Sequence, residues 1–271
     1  MAHRPIPLQS VLLNTPDIEL WPGGLLRARG NADARQLARA LRVLRRKRDG
    51  RYLAVELPEG LLPLVARLPR EAGIADALAA LEAPPRRGPP AAADVLPTDG
   101  VQQRLAMLGI DADDYAARTG LALVAEPAWL MFAGIDRYRR ALWLQRDAAR
   151  AWLGMRAAAL RDGVVLEAIS GYRSHDYQLG IFERKQARGL AIDDILAVNA
   201  APGFSEHHSG QALDIGTPGE PPSEESFEAT PAHAWLQQHA SSHGFGMSYP
   251  RDNPHGITFE PWHWRYQAAA G

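Results

Sequence analysis

The sequence predicts an α+β protein: a small antiparallel sheet with flanking helices, preceded by a small α+β module. Three observations lead there. Helical periodicity alternates with short apolar runs, so neither helices nor strands alone account for the chain. Residues 83–100, APPRRGPPAAADVLPTDG, replace any hydrophobic period with Pro, Gly and Ala and read as a linker. The two sides of that linker differ in charge: residues 1–95 carry 15 Lys and Arg against 10 Asp and Glu, and the remainder carries 15 against 21. The expected division is a module over 1–82, the linker over 83–100 and a main domain over 101–271. At 271 residues, 46% hydrophobic and 23% charged, the chain is long enough to bury a core in each part.

In the first module, Asn31 opens a helical stretch through Arg48, residues 52–56 read as a short strand, and two further helices are expected over 59–67 and 72–81. The basic residues between Arg35 and Arg51 would then line one helix, as a solvated face or a phosphate-binding one. Nothing in this half resembles a chemical site. Beyond the linker, Leu144, Ala148, Trp152, Met155 and Ala159 fall in one stripe at 100° per residue, with Arg146, Arg150 and Arg161 opposite, which defines a core-facing helix. Asp162 and Gly163 end it. Residues 164–169 form an apolar, β-branched run suited to a buried strand, and Ser174 can cap a helix to about Arg188. Thr230 as N-cap, Pro231 at the first helical position, Ala234, Trp235 and Leu236 inside, and Gly244 as stop define one more.

Composition narrows the function. With no cysteine, a disulfide, a thiolate nucleophile and a Cys-based zinc site are excluded, and any metal must be held by His, Asp or Glu. A formal net charge of -1 argues against a dedicated nucleic-acid binder. Only Lys47 and Lys185 are lysines among 30 basic residues, a skew with no functional reading. Eight of the nine histidines lie at or beyond His175, which points to some use of imidazole there. The N-terminus has only the short apolar run 11–13 and no secretory core, and no segment approaches the roughly 18 apolar residues of a membrane span. A cytoplasmic location is expected of the chain as written, and a periplasmic or exported one if a leader precedes it.

The candidate chemistry begins in residues 205–215, SEHHSGQALDI. Leu213 and Ile215 alternate with Ala212 and Asp214, so if the first pair faces the core the second faces a cleft. His207 stands seven residues before Asp214, across a Ser-Gly turn able to bring imidazole and carboxylate onto one cation. A surface His and a strand-end Asp also fit this segment alone. In the tail, FEPWHWRY at 259–266 sets Glu260 and His263 three residues apart among aromatic side chains, which equally fits an aromatic edge strand. Pro261 breaks simple alternation, so the facing of these two does not follow from strand geometry. Together, His207, Asp214 and His263 make two imidazoles and one carboxylate, three protein ligands that leave a fourth tetrahedral position open. That is the catalytic pattern for zinc and not the structural one. Glu260 then stands as general base for zinc-activated water, and Arg173, in SGYRS at 170–174, as a fixed cation for a developing oxyanion.

Four motifs now stand in order: SGYRS-x3-Q, SEH-x2-G-x-A-x-D-I, Gly244 and Phe245 followed by Ser248, Tyr249 and Pro250, and EPWHWRY. Together they resemble the D-alanyl-D-alanine carboxypeptidase family of vancomycin-resistance type, which belongs with the D,D-dipeptidases and the hedgehog signalling domain in one zinc-peptidase superfamily. The resemblance covers about residues 145–266 and leaves 1–100 unaccounted for. It implies that His207, Asp214 and His263 hold one zinc ion, that Glu260 is the catalytic base and that Arg173 stabilises the tetrahedral intermediate. Gln178 and Ser205 match positions that line the substrate pocket. His208 stands where such enzymes carry a different polar residue and receives no role. His175, His233, His239, His243 and His255 have no motif counterpart and are expected at the surface or behind the site, His255 being the nearest to Glu260.

The implied activity is release of a terminal D-alanine from peptidoglycan stem peptides or their precursors. L,D-carboxypeptidase and peptidoglycan endopeptidase activities are the alternatives within the superfamily. A non-catalytic zinc-containing binding module is the alternative from another class, and the joint presence of Glu260 and Arg173 speaks against it. The expected partner is a peptidoglycan-derived peptide, with no nucleic acid and no membrane segment, and the metal is expected at an edge of the small sheet.

Overall fold

The computed structural model describes residues 10–28, 30–83 and 94–267. The first half runs from β1 (Val11–Asn14) and β2 (Ile18–Pro22) through the short helix α1 (Asn31–Leu37) to β3 (Arg42–Arg46), β4 (Tyr52–Leu57), β5 (Gly60–Pro63) and α2 (Ile74–Glu82). Then come α3 (Asp99–Met107), α4 (Ala112–Thr119), the hairpin of β6 (Trp129–Ile135) and β7 (Ala141–Leu144), and the long helix α5 (Arg146–Arg161). The remainder holds β8 (Glu167–Ser170), α6 (His175–Gln186), α7 (Ile192–Ala197), β9 (Ala212–Gly216), α8 (Pro231–His239), β10 (Phe245–Met247) and β11 (His263–Tyr266). All pairing between these strands is antiparallel, in a larger sheet ordered β5-β4-β3-β2-β1-β6-β7 and a smaller one ordered β10-β11-β9-β8. The α+β class expected from the sequence is the one observed.

Elements with local signals form where the sequence puts them. The apolar stripe of α5 buries Ala148, Trp152, Met155 and Ala159 against Leu213 and Ile215 of β9, Leu236 of α8, Phe245 of β10 and Trp264 of β11. Each large side chain so buried contributes roughly 1.5–3 kcal/mol. Ser174 Oγ accepts from the Tyr177 N–H at 3.1 Å to cap α6, and Thr230 Oγ1 accepts from the His233 N–H at 3.2 Å to cap α8.

The first half departs from expectation. The helix expected over 31–48 stops at Leu37, and residues 42–46 are β3 instead. Both faces of that strand are buried, Val43 against Val55 and Leu57, Leu44 against Ile18, Leu20 and Ala54. Burial on two sides outweighs the helix propensity of Leu and Arg. The helix expected over 59–67 is replaced in part by β5, which opens on Gly60 at φ 135° and ends on Pro63, both hostile to a helix interior. The basic run from Arg35 to Arg51 is therefore no single helix face. Arg39 pairs with Glu59, Arg45 with Glu19 at 2.6 Å, and Arg46 with Asp49 and Glu71 at 2.5 Å each.

Of the linker expected over 83–100, residues 84–93 lie outside the described residues. Its end is ordered: the Leu96 N–H donates to the Glu126 carbonyl and the Ala128 N–H to the Asp94 carbonyl, both at 2.8 Å, and α3 already begins at Asp99. The larger sheet crosses this boundary, because β1 pairs with β6 through Val11↔Met131, Leu12↔Leu130 and Leu13↔Trp129. Residues assigned to 1–82 and to 101–271 thus share one sheet.

A buried ion pair adds to that joint. In the turn after β3, Lys47 Nζ donates to Glu126 Oε2 at 2.6 Å, with side chains 0% and 5% exposed. Glu126 also accepts from the Tyr172 hydroxyl, from the His175 N–H at 2.8 Å and from Asn14 Nδ2 at 3.3 Å. Burial pushes its carboxyl up, but the Lys47 and His175 charges and the Lys47 and Tyr172 hydrogen bonds outweigh it and hold the group down to about 2.

Lys47→Met leaves this carboxylate buried without its cation, so the thermal midpoint is expected to fall by on the order of 10 °C, ~3 kcal/mol, by calorimetry. Because the folded-state pKa lies below the ordinary 4.5, the stabilisation is fully present above that value and is lost as pH falls toward about 2. The gap between wild type and variant should therefore narrow as pH falls from about 4.5 toward about 2. A gap independent of pH would exclude the Glu126 carboxylate as its source.

Candidate active site

Asp214 of β9 and His263 of β11 stand directly opposite one another on the two inner strands of the smaller sheet. His207 comes from a 3-10 turn, Glu206–Ser209, closed by Gly210 at φ 68°. A Cβ there would lie 2.5 Å from Leu130 Cδ2, so glycine is required for both its left-handed backbone and its lack of a side chain. This turn delivers His207 Nε2 to 3.2 Å from Asp214 Oδ1, while His263 Nδ1 lies 3.1 Å from the same oxygen. The three ligand atoms lie within 4.8 Å of one another, and all three residues are buried. The site expected at a sheet edge is therefore internal. The physical reason is that flanking strands β8 and β10 satisfy the outer backbone groups, which leaves the inner pair dry.

Each histidine's second nitrogen is committed elsewhere. His207 Nδ1 lies 2.7 Å from the Gly171 carbonyl, and His263 Nε2 lies 2.9 Å from Glu206 Oε2. Both partners are acceptors, so those nitrogens carry protons, and Nε2 of His207 and Nδ1 of His263 face Asp214. Arg265 Nη1 steadies Glu206 from its other oxygen at 3.0 Å. Burial works against ionisation of Glu206, yet the hydrogen bond and charge of His263 and the Ser248 hydrogen bond hold it down to about 2. Glu206 received no role from the sequence, since its partner is 57 residues away. Its only signal was adjacency to His207.

Glu260 reaches the site through a turn and not a strand. The His263 N–H donates to the Glu260 carbonyl at 3.1 Å, with Pro261 in the second position of that turn, where its fixed φ is favoured. The turn puts Glu260 Oε2 3.8 Å from His263 Nδ1. Burial raises Glu260 to about 7, the Asp214 and Glu206 charges adding to the effect and His263 and Arg173 opposing it. Burial, then the Arg173 charge, lowers His207 to about 4. On His263, burial is overcome by hydrogen bonds to Asp214 and Glu206 and by the Asp214 and Glu260 charges, which raise it to about 10.

Arg173 follows a bulge in the β8–β9 ladder and donates from Nη2 to Asp214 Oδ2 at 2.8 Å. His208, without a role in the sequence, holds this turn: its Nε2 accepts from the Gly203 N–H at 3.0 Å and its Nδ1 donates to the Arg173 carbonyl at 2.7 Å. Burial keeps it neutral, as both bonds require. His175, expected at the surface or behind the site, is buried edge-on to His208 with ring centroids 4.4 Å apart. His233 is buried as well, while His239 and His243 lie beside Trp235. His255 touches the Tyr249 ring, which in turn lies 4.8 Å from His263. Ser205 is buried immediately before the 3-10 turn, and its carbonyl accepts from the His208 N–H at 3.0 Å. Gln178 is also buried; its amide donates to the Ala200 carbonyl at 2.9 Å, and among the described residues no hydrogen bond joins it to the triad.

The donor set fits a divalent transition ion. Two imidazole nitrogens and a carboxylate suit zinc, and ligands about 2.0–2.1 Å from a tetrahedral ion stand about 3.3 Å apart. The two spacings to Asp214 Oδ1, 3.1 and 3.2 Å, match that demand, and all three candidate ligand atoms lie within 4.8 Å of one another.

Fold and site define an α+β protein with a buried His-Asp-His group able to hold a metal ion, flanked by a glutamate and an arginine. Residues 141–269 match the family described as VanY: D-alanyl-D-alanine carboxypeptidase. A bifunctional D-Ala-D-Ala dipeptidase and D-Ala-D-Ala carboxypeptidase of Enterococcus gallinarum, VanXYC, is 31% identical over 148 residues, 52% of this chain and 75% of the relative. The chain belongs to this D-alanyl-D-alanine carboxypeptidase family. YodJ of Bacillus subtilis (strain 168) is 38% identical over 128 residues, and a D-alanyl-D-alanine carboxypeptidase of Enterococcus faecium is 33% identical over 128. The chain spans less than half the length of these two relatives, 46% and 38%. Among solved structures, the LdcB LD-carboxypeptidase is similar at 32% identity and TM-score 0.45, over 51% of this chain and 67% of that one.

Removing the Glu206 carboxylate frees His263 to rotate, so Glu206→Gln is expected to weaken zinc affinity about 10- to 100-fold in competition with a chromophoric chelator. Equal affinity in wild type and variant would show that Glu206 does not orient the ligand.

Proposed function

We propose that this protein is a zinc-dependent carboxypeptidase that releases the terminal D-alanine of peptidoglycan stem peptides or their precursors. The observation that carries this reading is the convergence of two imidazoles and a guanidinium on the Asp214 carboxylate, with Glu260 beside one of those imidazoles. His207 and His263 meet Asp214 Oδ1, Arg173 meets Oδ2, and Glu260 lies 3.8 Å from His263. His207 through Nε2, His263 through Nδ1 and Asp214 would hold one zinc ion, which when bound supplies a Lewis acid and brings the pKa of water to about 7.

The chain's own groups supply the rest. Glu260 takes a proton from the attacking water on its carboxylate and hands it to the leaving amine nitrogen, two transfers suited to a buried carboxyl raised to about 7. Arg173 donates to the oxygen on which negative charge develops. Ser205 and Gln178 line the pocket for the peptide backbone or terminal carboxylate. Gly171 and Glu206 hold the imidazoles in the orientations that turn Nε2 and Nδ1 toward Asp214. A binding module without turnover would have no use for Glu260 and Arg173 together.

Zinc-loaded protein incubated with stem pentapeptide is expected to shorten it by one alanine, read by mass. Glu260→Gln should lower turnover about 10²- to 10⁴-fold while keeping its metal by elemental analysis, and His263→Ala should lose the metal. An intact pentapeptide defeats this reading, and conversion of the tetrapeptide alone would move the specificity to the L,D bond.

A further inference from the structure

The turn that presents Arg173 is tied down on both sides of that residue by one carboxylate. Glu126 Oε2 accepts from the Tyr172 hydroxyl, and Glu126 Oε1 accepts from the His175 N–H at 2.8 Å. Tyr172 comes just before Arg173 and His175 two residues after it, so the two oxygens span the segment that aims the guanidinium. Arg173 is held along its backbone as well: its N–H donates to the His207 carbonyl at 3.3 Å, and its carbonyl accepts from His208 Nδ1 at 2.7 Å. From there Nη2 reaches Asp214 Oδ2 at 2.8 Å.

The first half of the chain sets what Glu126 can do. Asn14 Nδ2 of β1 donates to the Tyr172 hydroxyl at 2.9 Å, so the hydroxyl's own proton is directed at Glu126. The His175 N–H is a donor too, and both Glu126 oxygens must therefore act as acceptors, which the ionised carboxyl does and the protonated one does not. A buried carboxyl stays ionised only beside a cation. Lys47, after β3, is that cation, 2.6 Å from Oε2. Neither Lys47 nor Glu126 lies within residues 141–269, the part that matches the carboxypeptidase family.

We propose that Lys47 and Glu126 are a positioning pair for Arg173: the ion pair keeps both carboxylate oxygens as acceptors, and these fix the turn that aims the guanidinium at the reacting carbonyl. The inference rests on the peptidase reading of the site. Lys47→Met leaves Glu126 to take up a proton or draw in water, and one of the two ties is lost. Glu126→Gln sets an amide NH₂ where one acceptor stood, facing a donor, and breaks a tie outright. The double variant breaks the same tie but buries no unpaired charge, so its thermal midpoint should exceed those of both single variants. Arg46→Met, which loses the ion pairs to Asp49 and Glu71 in the first half, is the destabilised control.

The test uses zinc-loaded full-length protein and stem pentapeptide, at a temperature where every variant measured is folded by circular dichroism. In Lys47→Met, Glu126→Gln and the double variant, kcat is expected to fall about 10- to 100-fold with KM within about twofold, as for a contact made in the transition state. Arg46→Met should keep kcat within about twofold of wild type. A kcat that recovers in the double variant along with its midpoint, or that falls equally in Arg46→Met, reports stability alone and overturns the pair while leaving the peptidase reading standing. If wild type leaves the pentapeptide intact, the peptidase reading fails and the Arg173 Nε–H resonance of the zinc-loaded protein, assigned by its loss in Arg173→Lys, decides the pair. A resonance displaced in Lys47→Met and in the double variant but not in Arg46→Met supports it, and one unchanged in both, or displaced equally in Arg46→Met, overturns it.

Discussion

Glu126 is the acceptor on which the two halves of the chain converge, because a carboxylate taken out of water needs both a cation and hydrogen bonds for its lone pairs. Lys47 supplies the cation from the far side of the linker, and Tyr172 and His175 supply hydrogen bonds from either side of Arg173. The same turn offers the Gly171 carbonyl that orients His207. Geometry at the ligand triad thus depends on a residue more than a hundred positions earlier in the chain. A compact ammonium group fits this enclosed position, whereas a planar guanidinium needs a wider fork of acceptors. One of only two lysines among 30 basic residues is spent here.

Asp214 plays the matching part inside the site. Its carboxyl is pulled well below the ordinary range, against the cost of burial, by His207, Arg173 and His263. The raised affinity of His263 for a proton belongs to the same balance, since that proton neutralises the carboxylates around it. The chain therefore neutralises its own ligand cluster, and the surrounding core of α5, α8 and the smaller sheet closes over it.

Much of this was legible in the sequence wherever the cause was local. The stripe of α5, the Ser174 and Thr230 caps and the αL position of Gly244 are each set by residues within a turn or two. The grouping of His207, Asp214 and His263 was legible through the motifs that resemble a known family. Strands β1, β2, β3 and β5 were not, because runs of four or five residues become strands only through partners elsewhere, and Arg-Val-Leu-Arg-Arg alone favours a helix. The roles of Glu206, His208 and Tyr249 were hidden for the same reason: each is defined by a neighbour in space, as when Tyr249 lies over His263.

The sheet that runs across the linker has a consequence for where such a chain can be divided. The family match begins at residue 141, the first residue of β7, so its boundary cuts between the two strands of a hairpin. Trimmed there, the C-terminal portion would keep β7 without β6, and the N-terminal strands would end on an uncovered β6. Both would be open edges, the sort that recruit other chains into aggregates. The first half is accordingly not a separate unit hung on the linker; its strands continue the sheet of its neighbour.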